Sequence, residues 1–87
     1  MYLHLGQSVV VHQKDIIGIF DLDNTTSSFR TRMFLERAER EGRAVTVSED
    51  LPKSFVLCQE KDGAAVIYLS QLSSATLRGR AENDSFE

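Results

Sequence analysis

Apolar and polar positions alternate from the start of the chain. Tyr2-Leu3-His4-Leu5 steps in and out and stops at Gly6, the pattern of a short strand. Val9-Val10-Val11 predicts a second, more buried strand, and His12-Gln13-Lys14-Asp15 is a polar break. Ile16-Ile17-Gly18-Ile19-Phe20 is a continuous apolar run, which predicts a third strand lying mid-sheet. Gly18 inside it predicts a bulge or a close backbone approach. Asp21 to Thr26 reads as a loop into the one long stretch of helical character, Ser27 to Glu41. The hydroxyls of Thr26, Ser27 and Ser28 can cap its first turn, where backbone N–H groups have no helical partner. Phe29 to Glu41 contains no Gly, Pro or Val, and Gly42 is placed to take the left-handed turn that closes a helix.

Beyond Gly42 the pattern returns to strands. Ala44 to Ser48 is one, followed by the turn Glu49-Asp50-Leu51-Pro52, and Ser54 to Gln59 is the next. Asp62-Gly63 is a hairpin signal because Gly accepts the positive φ of a tight turn. Ala64 to Ser70 returns, Ser73 to Leu77 predicts one short turn of helix, and Arg78-Gly79-Arg80 leads to a polar acidic tail over 81–87, predicted to be disordered. The expected fold class is α+β: a small single domain over 1–80, with a mostly antiparallel sheet of five to six strands and one main helix.

The faces of that helix carry the first functional hint. At about 3.6 residues per turn, Thr31, Phe34, Leu35 and Ala38 line one side and can dock on a sheet. Phe29 and Met33 fall on nearly the opposite side, beside Arg37 and Arg40. One helix on one small sheet has one core to face, so Phe29 and Met33 are candidate oligomer-interface residues. The alternative is that Phe29 folds back under a loop.

Composition narrows the classes without choosing among them. The 87 residues are 41% hydrophobic and 26% charged, ordinary for one small domain. No apolar run is long enough to cross a membrane and no basic-then-apolar leader opens the chain. The single cysteine, Cys58, excludes an internal disulfide and lies in a predicted strand as a small hydrophobe. These features predict a reducing, cytoplasmic setting. The formal charge of −3 is equalled by Glu82, Asp84 and Glu87 in the tail, which leaves the body neutral. A neutral body does not announce a nucleic-acid binder, although a local basic patch repeated around an oligomer can serve.

One motif points to an enzyme and fails. Asp21-Leu22-Asp23-Asn24-Thr25 matches the D-x-D-x-T signature of haloacid-dehalogenase-type phosphatases, in which the first aspartate attacks phosphorus beside Mg²⁺. That fold needs a parallel sheet with several crossover helices, a distant lysine and a later acidic pair, which this chain does not offer. Asp21, Asp23 and Asn24 read instead as turn and cap residues. His4 and His12 have no third ligand in a recognisable spacing. No nucleophile elbow or glycine-rich phosphate loop is present, so neither catalysis, a cofactor, a metal nor a small-molecule substrate is expected.

The arginines are the remaining chemistry. Arg30, Arg32, Arg37, Arg40 and Arg43 crowd one helix and its end. Spacing by four predicts internal pairs of Arg32 with Glu36, Glu36 with Arg40, Arg37 with Glu41 and Glu39 with Arg43. Arg30 has no such partner, and Lys14, Lys53, Arg78 and Arg80 sit in turns or near the end. Lys14, Arg30, Arg32 and Lys53 are therefore the candidate phosphate contacts.

Several blocks carry a resemblance: Tyr2-Leu3-His4-Leu5-Gly6, Asp15 to Asp23, Phe34-Leu35-Glu36-Arg37-Ala38-Glu39, Leu51 to Val56 and Ser73-Ser74-Ala75-Thr76-Leu77. Together, in this order and over about residues 1 to 80, they resemble the RemA/RemB family of bacterial extracellular-matrix regulators, and within it the RemB type. The resemblance implies a cytoplasmic regulator of biofilm-matrix genes. RemA-like members bind DNA and assemble as rings, which implies a DNA-binding, ring-forming oligomer here, with a homo-oligomeric partner and DNA. One departure bears on this. RemA-like proteins carry adjacent arginines in the loop that matches Glu49-Asp50-Leu51-Pro52, where this chain has two acids and no base. Two readings follow: an oligomeric DNA-binding transcriptional regulator, or an oligomeric interaction module that acts without direct DNA binding.

Overall fold

The computed structural model describes residues 2–22, 29–59, 63 and 65–84. Outside these lie Ser27 and Ser28 of the expected helix start, Asp23 to Thr25 of the phosphatase-like motif, Asp62 of the hairpin signal, and residues 85–87 of the expected tail.

The chain opens with strands β1 (Tyr2–Gly6) and β2 (Val9–His12), an antiparallel hairpin. A single turn of 3-10 helix (Gln13–Asp15) takes the place of the polar break. Then come β3 (Ile16–Asp21), helix α1 (Phe29–Arg40), β4 (Ala44–Thr46), β5 (Ser54–Gln59), β6 (Ala65–Ser70) and helix α2 (Ser74–Asp84). The class is α+β, as expected from the pattern. The six strands do not form one sheet: β1 and β2 make a two-stranded sheet, and the other four stand in the order β3-β5-β6-β4. Within the larger sheet β3/β5 and β5/β6 are antiparallel, while β4 joins β6 in parallel. The parallel edge follows from connectivity, since α1 carries the chain from β3 over one face of the sheet to the far edge.

Two cores sit on the two faces of the larger sheet. On one face Ala38 of α1 packs with Leu22, Phe55 and Ile67, flanked by Leu35, Ala44, Leu57 and Leu69. On the other, the β1–β2 hairpin and α2 bring Leu3, Leu5, Val11 and Leu77 onto Val47, Val56 and Cys58. The Cys58 side chain is buried. Buried serines tie the layers: Ser70 Oγ donates to the Leu5 carbonyl at 2.7 Å and accepts from the Leu72 N–H at 3.0 Å, and Ser54 Oγ donates to the Leu72 carbonyl at 2.7 Å.

The end of α1 follows the sequence. Gly42 has φ of 73°, its N–H reaches the Glu39 carbonyl at 3.1 Å, and the Arg43 N–H reaches the Ala38 carbonyl at 2.8 Å, the paired bonds of a left-handed helix cap. Gly18 sits at the bulge, one of the two alternatives the sequence offered. The β3/β5 register shifts between Ile16 and Gly18, and a Cβ at Gly18 would stand 2.8 Å from the Phe20 ring.

Two expectations are corrected. β3 is an edge strand rather than a central one, and β5 and β6 lie inside. An uninterrupted apolar run signals apolar surroundings, not a position in strand order, and here Ile17 and Phe20 are left 57% and 39% exposed. The C-terminal helix also runs 11 residues rather than one turn, through four residues of the stretch read as tail. Ser73 caps it, its Oγ accepting from the Thr76 N–H at 3.1 Å. Leu77 and Ala81, one turn apart, both pack on the hairpin core, and that burial outweighs the weak helix propensity of Gly79. No helix among the described residues is long and apolar enough to cross a membrane.

Candidate interaction surface

The sequence of α1 gives it a narrow buried stripe. Thr31 and Leu35 are half-buried and Ala38 is fully buried, so only these three of its 12 residues face the sheet. Phe34, read from sequence as a docking residue, stands on the shoulder and is 38% exposed. Beyond it Met33 is 51% and Phe29 72% exposed.

The shoulder opens two adjoining grooves. The first, of about 300 Å³, lies between α1 and β3 and is lined by Phe20, Arg30, Thr31, Phe34, Phe55 and Leu57. Its floor is set by the Phe20–Phe55 stack, with ring centroids 4.9 Å apart. The second, of about 290 Å³, runs along the helix between Arg30, Met33, Phe34, Arg37 and Arg40. The two share Arg30 and Phe34, giving one surface with an apolar middle and guanidinium groups along it.

Of the four ion pairs expected within this helix, the described residues form one, Arg37 to Glu41 at 3.3 Å. Glu41 also takes Arg43, at 2.6 Å, so Arg43 is drawn away from Glu39. The Arg43 guanidinium donates as well to the Ala65 carbonyl at 3.0 Å, which anchors it to the sheet. Hydrogen bonds from Arg43 and then Arg37 hold the Glu41 carboxyl below the usual carboxylate range. Arg30, Arg32 and Arg40 make no ion pair among the described residues.

The candidate phosphate contacts are all exposed but do not gather into one patch. Arg30 lines both grooves, and Arg32, two residues on, points to the other side of the helix. Lys14 lies in the 3-10 turn before β3, and Lys53 at the opposite end of the β3/β5 pair. The six residues of β3 stand between them, five steps or about 17 Å from its first residue to its last. Arg78 and Arg80 are engaged internally, Arg78 Nη2 donating to the Ile19 carbonyl on the β3 edge at 2.7 Å and Arg80 Nη1 to the His4 carbonyl at 3.4 Å. His4 Nε2 lies 3.1 Å from the Gln7 carbonyl, and the His12 ring packs tilted against Tyr2 with ring centroids 4.2 Å apart, so the two histidines have separate local partners.

Phe20 and Leu51 are among the exposed apolar residues that escaped the sequence reading. Phe20 was hidden in the apolar run. Leu51, at 86% exposure, stands in the turn between β4 and β5 beside exposed Glu49 and Asp50. A leucine flanked by two acids and a proline, between strands, has no core of its own to enter, and that was the available signal.

An alignment over 82 residues, at 38% identity, matches extracellular matrix regulatory protein B of Bacillus subtilis and covers 94% of this chain and 91% of that protein. No protein-family model matches the chain.

Proposed function

The chain belongs to the family of extracellular matrix regulatory protein B, and from that membership we propose that it regulates extracellular-matrix, or biofilm, gene expression as a homo-oligomer that binds DNA. It carries out no catalytic step in this reading, takes no cofactor or metal, and works in the cytoplasm. The observation that carries the proposal is the outer surface of α1. Arg30, Arg32 and Arg40 lack acidic partners among the described residues, and Met33 and Phe29 beside them are too exposed for a monomer to benefit from. In an assembly through Phe29 and Met33, a few cations per protomer repeat around the oligomer, and a near-neutral subunit gains a basic track. Lys14, Arg30, Arg32 and Lys53 are the phosphate contacts.

Titrating the protein into a labelled duplex at several salt concentrations tests this. Affinity should fall steeply with salt, Lys14→Glu with Lys53→Glu should abolish binding, and either lysine replaced alone by Ala should flatten the salt slope by about 1. Unchanged affinity and slope in the double variant would remove these lysines from the site. The exposed acids Glu49 and Asp50 favour a second reading, in which the oligomer acts through another protein and ignores duplex DNA at moderate salt. Acids at that loop repel phosphate, so on this reading the arginines serve assembly alone.

A further inference from the structure

The loop between β4 and β5 is held as a projection. The Val47 N–H bonds the Leu69 carbonyl at 3.0 Å and the Lys53 N–H bonds the Ser70 carbonyl at 2.8 Å, so both ends are pinned to consecutive residues of β6. Inside it the Asp50 N–H donates to Ser48 Oγ at 3.1 Å. Pro52 restricts Leu51 to extended backbone. The outcome is an apolar tip, Leu51, 86% exposed, flanked by two exposed carboxylates.

The helical groove on α1 has the opposite character. Met33 and Phe34 form an apolar floor between Arg30, Arg37 and Arg40, and the volume is about 290 Å³. Tip and groove match in polarity and are opposite in charge. They cannot meet within one molecule. α1 packs on the face of the sheet that carries Phe55 and Ile67. The loop departs from Val47, which is buried in the core on the other face, and its base borders an open cleft shared with Gln7 of the hairpin turn.

We infer that the Glu49-Asp50-Leu51 tip of one copy seats in the Arg30-Met33-Phe34-Arg37-Arg40 groove of a second copy. The inference rests on the proposed homo-oligomer and names its interface. Two different surfaces meet, so the contact is head-to-tail and each copy offers one tip and one groove. Pairing with Arg37 and Arg40 neutralises the acids that would otherwise repel phosphate, and Arg30 stays at the rim. The acidic loop becomes an assembly element, which removes the conflict between its charge and DNA binding by the remaining cations.

Charge exchange between two variants tests the pairing. One carries Arg37→Glu with Arg40→Glu, the other Glu49→Arg with Asp50→Arg; all four positions are exposed, and circular dichroism checks the fold. By light scattering each variant alone should be a monomer at concentrations where the unmodified protein is assembled. An equimolar mixture should recover the assembled mass, because each groove then faces a tip of opposite charge. Leu51→Ser should raise the concentration needed for assembly about tenfold or more. Variants that assemble like the unmodified protein, or a mixture that stays monomeric, would overturn the pairing while leaving the oligomer intact. A monomeric unmodified protein would overturn the oligomer reading itself.

Discussion

At the residue scale, the tightest dependence lies in a serine. Ser70 is fully buried, and its hydroxyl serves the Leu5 carbonyl and the Leu72 N–H at once, joining the hairpin to the larger sheet. Ser70→Ala leaves both backbone groups without that partner, and a buried unmet group costs about 1–3 kcal/mol. The expected outcome is a loss of stability in that range by urea denaturation, with an unchanged fold. A change under about 0.5 kcal/mol would show that the hydroxyl is dispensable. Nothing in the sequence distinguished Ser70 from the chain's other serines, because its role depends on Leu5, 65 positions away. Gly42 was legible, since a local backbone requirement needs no distant partner. The arginines were legible in number but not in pairing: Arg43 could join Glu41 or Glu39, and its bond to the Ala65 carbonyl draws on the tertiary fold.

At the element scale, α2 departs furthest from the pattern. A stretch holding Gly79 and a polar end reads as a turn and a tail, yet it is an 11-residue helix because the hairpin core receives Leu77. Leu77 has no exposed surface, so Leu77→Ala should cost about 2–5 kcal/mol. It should also release Arg78 from the β3 edge, seen as faster amide exchange around Ile19. Wild-type exchange there in the variant would mean that the edge is protected by other means. The same limit explains β3. Local apolar content announced a strand, and Gly18 its bulge, but strand order is set by pairing between segments distant in sequence. The helix face at Phe29 and Met33 was legible from period alone, whereas the groove needed Phe20 and Phe55 to arrive from the sheet.

At the scale of the whole molecule, the outer surface of α1 joins the exposed apolar residues to arginines that make no ion pair among the described residues. The family is one of extracellular matrix regulation, and the proposed function puts its action in an assembly that presents a repeated basic track to DNA. A neutral body with separated cations holds phosphate weakly as a monomer, so the proposed function requires assembly before binding. The measurement closest to this claim is the solution mass by light scattering behind size exclusion, for the protein alone and with a mixed-sequence duplex at low salt. The account predicts a discrete oligomer that co-elutes with DNA, and a monomer that no longer does so when Met33→Glu is introduced. A monomeric wild-type protein, or a Met33→Glu variant that stays fully oligomeric, would contradict it.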